Sequence, residues 1–205
     1  MSMHAFIYLA SQSPRRRQLL DQLGVRHELL VPEPGAEADA AEALEAVLPD
    51  ELPADYVQRI TMLKLQAART RLRARGLPPA PILCSDTTVA LGRRILGKPA
   101  DAAEARAMLQ ALSGRSHRVL TAVALGLPRR TLAGLSVSTV RFAELDVALI
   151  DAYIASGQPF GKAGAYAIQS QLAGWIPQVR GSHSAIMGLP LFETAQLLRQ
   201  ARVRF

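Results

Sequence analysis

The sequence predicts one α/β domain built on a mixed sheet. Patterns typical of strands and of helices alternate along its 205 residues without an internal repeat. That length suffices for one substantial core, or for two lobes that share a cleft, and is short for two independent domains. We therefore expect residues 1–205 to form a single domain, with an acidic insertion at about residues 32–53.

The predicted elements follow hydrophobic periodicity, and their ends follow capping and turn residues. Strands are predicted at residues 4–9, 25–31, 81–91, 118–126, 135–142 and 161–168. Helices are predicted from Ser13-Pro14 to Gly24, at residues 54–75, from Asp101 to Gly114, at residues 146–156 and at residues 190–202. Prolines and a missing apolar stripe predict that residues 32–53 form a mobile surface insertion with at most a turn or two of helix.

Charge is distributed unevenly along the chain. The net charge is +7, but residues 32–53 contain seven acidic residues and no basic one, which leaves +14 on the remainder. This excess favours a polyanionic partner, either a nucleotide or a nucleic acid, although a solvated arginine-rich surface has the same composition. Lysine is rare, so Lys64, Lys98 and Lys162 are worth individual attention.

Nothing in the sequence predicts export or membrane insertion. Residues 1–10 lack the features of a signal peptide, and no run of eighteen apolar residues occurs. The single Cys84 lies in an apolar run, where a cysteine is usually a small buried hydrophobe. We expect a cytoplasmic protein without a disulfide.

The first motif that suggests chemistry is ASQSPRR, residues 10–16, where a strand leads through small residues into a helix. The free amides and positive dipole at a helix start attract anions, and the two arginines add fork-shaped donors. A phosphate site is one interpretation. A capped surface helix with solvated arginines is the other.

The second motif is SDTT, residues 85–88, within an apolar strand. Because an unpaired buried carboxylate is costly, Asp86 must meet a cation, a metal or several donors. Residues 97–99, Gly-Lys-Pro, hold Lys98 in a constrained loop. The acid and the lysine are either a structural pair or the metal-binding and phosphate-neutralising groups of phosphoryl chemistry.

The third motif is GKAGAYAIQ, residues 161–169, followed by GSHS at 181–184 and GLP at 188–190. Small residues permit close approach of a ligand, and the Gln169 carboxamide can donate and accept hydrogen bonds at once. That combination suits the edge of uracil or thymine. The four histidines are scattered, and no Walker, dinucleotide-binding or Cys/His metal pattern occurs.

Taken in this order, the three motifs, together with LSGRSH at residues 112–117, resemble the Maf-like nucleotide pyrophosphatases over nearly the whole chain. The resemblance implies an elongated fold with two lobes around a central cleft, similar to that of inosine triphosphate pyrophosphatases. It also implies hydrolysis between the α and β phosphates with a divalent metal, Mg²⁺ or Mn²⁺. The segment 161–169 looks like the dTTP/UTP branch of the family rather than the 7-methyl-GTP branch.

The resemblance also assigns roles to residues of this sequence. Asp86 matches the proton-accepting carboxylate of the family and is also a candidate metal ligand, together with Glu33. The implied substrate-binding residues are Ser11, Ser13, Arg15, Arg16, Lys64, Thr87, Lys98, Lys162 and Gln169. Of these, Arg15, Thr87 and Gln169 match positions linked to base selection.

The sequence departs from the family pattern at two places. Where the family usually has an acidic pair after its second strand, our alignment places Gly35 and Ala36, with Glu33 and Glu37 beside them. Where the family commonly has glycine after the glutamine, this chain has Ser170.

The expected partner is a small nucleotide, with no membrane and no nucleic acid, and a monomer and a homodimer both remain open. The rival function is a non-catalytic nucleotide or nucleic-acid regulator, which the basic charge supports. The dispersed aromatic residues argue against a single-strand binder. A 7-methyl-GTP pyrophosphatase is a further alternative.

Overall fold

The structure is a computed structural model that describes residues 3–205, apart from the side chains of Ala41 and Glu42. One mixed sheet forms its centre. The strands of this sheet are β1 (Ile7–Leu9), β2 (His27–Leu29), β3 (Ile82–Leu91), β4 (Arg94–Leu96), β5 (Ser116–Gly126), β6 (Thr131–Arg141) and β7 (Gln178–Arg180). They lie in the order β2-β1-β3-β5-β6-β7, and β4 pairs with β3 outside that path.

Helices cover the sheet and fill its connections. They are α1 (Pro14–Gln22), α2 (Ala36–Ala43), α3 (Pro53–Ala74), α4 (Ala102–Leu112), α5 (Val147–Ala155), α6 (His183–Met187) and α7 (Leu191–Gln200). β1 runs parallel to β2 and β3, whereas β3, β5, β6 and β7 pair antiparallel in sequence. The predicted α/β class with a mixed sheet is thereby confirmed.

The core has two main parts, which lie toward opposite ends of the long strands. One part packs α4, α5 and the start of β5 around Val119, Phe142 and Tyr153. The other packs β1, α1 and α7 around Leu9, Leu20 and the far end of β5. Because β3 and β5 pass through both parts, polar groups midway along these strands are held between the two cores. The site described below is at that point.

Most of the predicted elements are present, with ends shifted by a few residues. The strand predicted at 161–168 is wrong: a 3-10 turn (Ala163–Ala165) and a further turn occupy that segment, because Gly161 and Gly164 adopt left-handed φ values of 72° and 68°. The short elements β4, β7 and α6 were not predicted. In the described part of the chain no helix is both long and apolar enough to cross a membrane.

Candidate active site

A cavity of about 610 Å³ lies at the middle of β3. Its volume is within the range of small-molecule binding sites. With the exception of Glu33, every site residue expected from the sequence lines it: Ser11, Ser13, Arg15, Arg16, Lys64, Asp86, Thr87, Lys98, Lys162 and Gln169. The structure therefore brings three motifs that are distant in sequence to one place.

The centre of the cavity is a chain of alternating charges. The Lys64 ammonium donates to Asp86 Oδ1 at 2.6 Å and to Glu45 Oε1 at 2.7 Å. The second Glu45 oxygen, Oε2, accepts from the Lys98 ammonium at 2.7 Å. Lys64 reaches the sheet because it follows Ile60 by one helical turn on the face of α3 that packs against β3.

Opposite charges keep Lys64 and Glu45 ionised despite their burial. Burial disfavours the charged form of Lys64, but the neighbouring Asp86 and Glu45 outweigh it and raise the pKa of the ammonium. Burial likewise opposes the charge on Glu45, yet the attraction of Lys64 and hydrogen bonds from both lysines lower the pKa of its carboxyl. Lys64 and Glu45 are therefore both charged at neutral pH.

Glu45 is held in place by α3. The Tyr56 hydroxyl donates to the Glu45 backbone carbonyl at 2.9 Å, and Arg59 donates to the Ala46 carbonyl at 2.9 Å and to the Glu51 carboxylate. Burial, followed by the charges of Asp86 and Glu45, raises the pKa of Tyr56 to about 12, so the hydroxyl stays protonated and remains a donor. This end of the acidic insertion is thus fastened to the site.

Glu33 does not reach the cavity. Its side chain is 76% exposed and lies 3.5 Å from Arg75, while Glu37 pairs with Arg71 at 2.5 Å. The acidic residue that accompanies Asp86 in the described structure is therefore Glu45. Sequence reasoning missed it because it was one of seven acids in a segment without a hydrophobic pattern.

Arg16 is fixed by the late GLP motif. Its Nε donates to the Gly188 carbonyl at 2.8 Å and its Nη1 to Ser11 Oγ at 3.1 Å, and Ser85 Oγ lies 3.0 Å from the same carbonyl. Gly188 ends α6 with φ 119°, and a Cβ there would lie 3.4 Å from Arg16 Nε. That separation is an ordinary contact, whereas residues with a side chain rarely adopt this φ, so the backbone conformation favours glycine at position 188. Ser13 occupies the predicted N-cap position of α1, although its side chain makes no capping bond.

The segment 161–169 packs closely on β3. A Cβ on Gly164 would lie 2.9 Å from a methyl group of Val89, and the Gly164 amide donates to the Gly97 carbonyl at 2.9 Å. This contact joins the loop that carries Lys98 to the loop that carries Gln169. The small residues of the third motif thus position two binding loops against each other.

The donor and acceptor roles of the Thr87 hydroxyl are defined by its neighbours. Thr121 Oγ1 donates to the Ala185 carbonyl at 2.7 Å, so its single proton is used, and Thr87 Oγ1 lies 3.0 Å from that oxygen. Thr87 must then donate to Thr121, which leaves its lone pairs as acceptors. A half-buried acceptor at the cavity wall suits an N–H group of a ligand or a bound water.

Lys162 and Gln169 differ in how they face the cavity. The Lys162 ammonium donates to the backbone carbonyls of Gln158 and Phe160, which closes its own loop. Burial, and then the positive charge of Arg15, lower the pKa of this ammonium. Gln169 is exposed on the cavity wall, where its carboxamide is accessible to a ligand.

The side chains that line the cavity favour an anion. Among the described residues, six basic ones and two acidic ones line it. Arg15, Arg16 and Lys98 line the same cavity as the two carboxylates. Such a mixture of cations and carboxylates suits a phosphate chain with a metal.

The two carboxylates of the site suit a magnesium ion better than a metal whose ligands all come from the protein. Asp86 and Glu45 meet at the same ammonium, and no cluster of three or more potential metal ligands is found among the described residues. Mg²⁺ typically takes one or two carboxylates and completes its shell with waters and substrate phosphates. Asp86 and Glu45 are the residues that would hold it.

Comparison with known sequences identifies the family. The sequence profile described as "Maf-like protein" matches residues 6–201. The chain belongs to the Maf-like family. The proteins of Albidiferax ferrireducens and Cupriavidus pinatubonensis, both named dTTP/UTP pyrophosphatase, are 63% and 58% identical to it. These alignments cover 96% and 99% of this chain and 97% and 100% of the relatives.

A relative from Ralstonia nicotianae, also named dTTP/UTP pyrophosphatase, is 61% identical over 98% of this chain and 96% of its own length. The resemblance drawn from the motifs is thereby confirmed at the level of the family. The cavity is lined by the site residues that the family resemblance implied, except that Glu45 lines it and Glu33 does not.

Proposed function

We propose that the protein hydrolyses dTTP and UTP to the nucleoside monophosphate and pyrophosphate. The observation that carries this proposal is the pair of carboxylates, Asp86 and Glu45, that share the Lys64 ammonium inside a predominantly basic cavity. Relatives with 57–63% identity carry the name dTTP/UTP pyrophosphatase. That name supports both the reaction and the pyrimidine base.

The reaction consumes one water and breaks the bond between the α phosphorus and the bridging oxygen. In our proposal Asp86 accepts the proton of the attacking water, and Lys64 holds its Oδ1 so that the carboxylate is oriented. When bound, Mg²⁺ would neutralise phosphate charge and favour attack at phosphorus. Arg15, Arg16 and Lys98 neutralise the triphosphate and stabilise the departing pyrophosphate.

We assign base recognition to Gln169 and Thr87, which also line the cavity. The Gln169 carboxamide can donate to a carbonyl oxygen of uracil or thymine and accept from N3–H, and Thr87 offers a further acceptor. A site built from hydrogen-bonding groups rejects bases that leave those groups unpaired. We also propose a cytoplasmic location, where nucleoside triphosphates are available as substrates.

The deciding experiment is pyrophosphate release from dTTP, UTP, CTP, GTP and 7-methyl-GTP with Mg²⁺ and with Mn²⁺. The expected result is the highest kcat/KM for dTTP and UTP. Tight nucleotide binding without pyrophosphate release would favour the regulator. Preference for 7-methyl-GTP would assign the protein to the other branch.

A further inference from the structure

Gln169 lies in a turn that is closed by two hydrogen bonds from the next residue, Ser170. Residues 167–170 form a four-residue turn in which the Ser170 amide donates to the Ala167 carbonyl at 2.9 Å. The Ser170 hydroxyl donates to the same carbonyl at 2.7 Å. Gln169 is one of the two central residues of this turn, so its direction depends on how firmly the turn is closed.

The Ser170 hydroxyl is itself anchored to the core. The Tyr153 hydroxyl donates to Ser170 Oγ at 3.1 Å, and the Leu172 amide lies 3.3 Å from the same oxygen. Tyr153 belongs to α5 and is fully buried. Since the Ser170 proton goes to Ala167, the oxygen serves as acceptor for both other groups.

These hydrogen bonds depend on the hydroxyl group of serine at position 170. A glycine at position 170 would leave the Tyr153 hydroxyl without this acceptor and the Ala167 carbonyl with one hydrogen bond fewer. Ser170 has φ −81°, a conformation that any residue adopts, so the side chain is accommodated without backbone strain. Neither Tyr153 nor Ser170 is among the residues that line the cavity.

We propose that Ser170 and Tyr153 are positioning residues that set the base selectivity of the site by fixing the turn that carries Gln169. The inference rests on the proposed function, since it assumes that Gln169 contacts the base. A buried ring that holds a turn through a shared hydroxyl restricts the carboxamide before the nucleotide arrives. Such preorganisation lowers the cost of binding the matching base.

The test compares Ser170→Ala, Ser170→Gly and Tyr153→Phe with a matched control, Ser113→Ala. Ser113 also has a half-buried hydroxyl that accepts a backbone N–H, from Leu145 at 2.7 Å, but it does not line the cavity. For each variant, kcat and KM are measured for UTP and GTP. Binding of UMP and of pyrophosphate is measured by calorimetry, because these two ligands report the base side and the phosphate side separately.

Tyr153→Phe removes one neutral hydrogen bond of the Ser170 hydroxyl, which predicts a UTP KM and a UMP Kd that rise roughly three- to tenfold. The Ser170 variants remove all three bonds of this hydroxyl and should raise both constants by at least as much. We expect kcat for UTP, the Kd of pyrophosphate and the KM of GTP to change little, so that base selectivity narrows. Because the Tyr153 and Ser170 hydroxyls share a hydrogen bond, the losses caused by Tyr153→Phe and Ser170→Ala should be less than additive in the double variant. Ser113→Ala should leave the selectivity as in the wild type.

Equal losses for UTP, GTP and pyrophosphate, or an unchanged UMP Kd in variants whose melting shows that they are folded, would overturn the inference. The proposed function fails in a different way, by the absence of pyrophosphate release from every triphosphate in the wild type. In that case the UMP measurements still decide whether Ser170 positions the base-binding turn.

Discussion

Glu45 lies 2.7 Å from the Lys64 ammonium although the two residues are 19 positions apart, Glu45 in the turn after α2 and Lys64 in α3. The contact brings the end of the acidic insertion into the cavity. It also gives the Lys64 ammonium a second carboxylate besides Asp86, although Gly35 and Ala36 occupy the positions at which the family resemblance implies an acidic pair. The insertion thus contributes a group to the site rather than only covering its surface.

Glu45→Gln should therefore weaken metal binding, whereas Glu33→Gln should not. Loss of one of two carboxylates is expected to cost at least about tenfold in Mn²⁺ affinity, since changes to groups behind the metal ligands already cost that much. Titration with Mn²⁺ followed by electron paramagnetic resonance measures the affinity without turnover. If Glu33→Gln binds Mn²⁺ more weakly than Glu45→Gln does, Glu33 is the metal ligand, as the family resemblance implied.

Asp86→Asn should lose most turnover and keep nucleotide binding. Proton acceptance by a positioned group is commonly worth roughly 10²-fold or more in rate. The exposed Asp151, which pairs with Arg106 outside the cavity, provides the control Asp151→Asn. Turnover near that of the wild type in a folded Asp86→Asn protein would remove Asp86 from the mechanism.

Lys98→Ala should weaken the binding of every triphosphate and of pyrophosphate to the same extent, because Lys98 contacts the phosphate charge and not the base. The loss should be about 1.5 kcal/mol, the low end for a hydrogen bond to a charged group, since the side chain is 44% exposed. Arg106→Ala removes a comparably exposed charge outside the cavity as a control. A loss confined to pyrimidine triphosphates would contradict this role.

Gln169→Ala should reduce kcat/KM for dTTP and UTP more than for purine triphosphates. The physical reason is that the hydrogen-bonding edge of the base loses its partner, whereas the phosphate contacts remain. A kcat/KM series over five triphosphates measures the change in preference. An equal decrease for all five would show that Gln169 does not read the base.

Acidification should destabilise the protein through His117. Burial lowers the pKa of its imidazole from 6.5 to about 4, and its Nε2 lies 2.6 Å from the buried Tyr166 hydroxyl. The unfolded chain binds a proton below about pH 6.5 that the folded chain rejects, so stability falls as the pH decreases toward 4. The expected slope is about 1.4 kcal/mol per pH unit.

Urea unfolding at about pH 7 and about pH 5 checks this prediction in wild type, His117→Gln and the exposed His183→Gln. The His117 variant should be less stable at neutral pH but should lose less stability on acidification. A loss equal to that of the wild type would show that another group is responsible.

The sequence predicted the parts of the fold and site that depend on local patterns. Asp86 in its apolar strand and Lys64 beside a buried helical stripe were identifiable because burying a charge requires a partner. Glu45 was not, since its role depends on the path of an insertion and on contacts with Tyr56 and Arg59. The strand predicted at residues 161–168 failed because glycines with positive φ override an apolar run, and β7, three exposed residues, has no hydrophobic signal at all.

Cys84 is the only cysteine in the sequence, and it lies on β3 two residues before Asp86, fully buried. Burial raises the pKa of its thiol to about 12, so an alkylating reagent finds almost no thiolate in the closed protein. The alkylation rate of the native protein therefore depends on how often the strand that carries Asp86 opens. A nucleotide that binds the folded cavity and not the opened form is expected to slow this rate, so alkylation of Cys84 would report ligand binding.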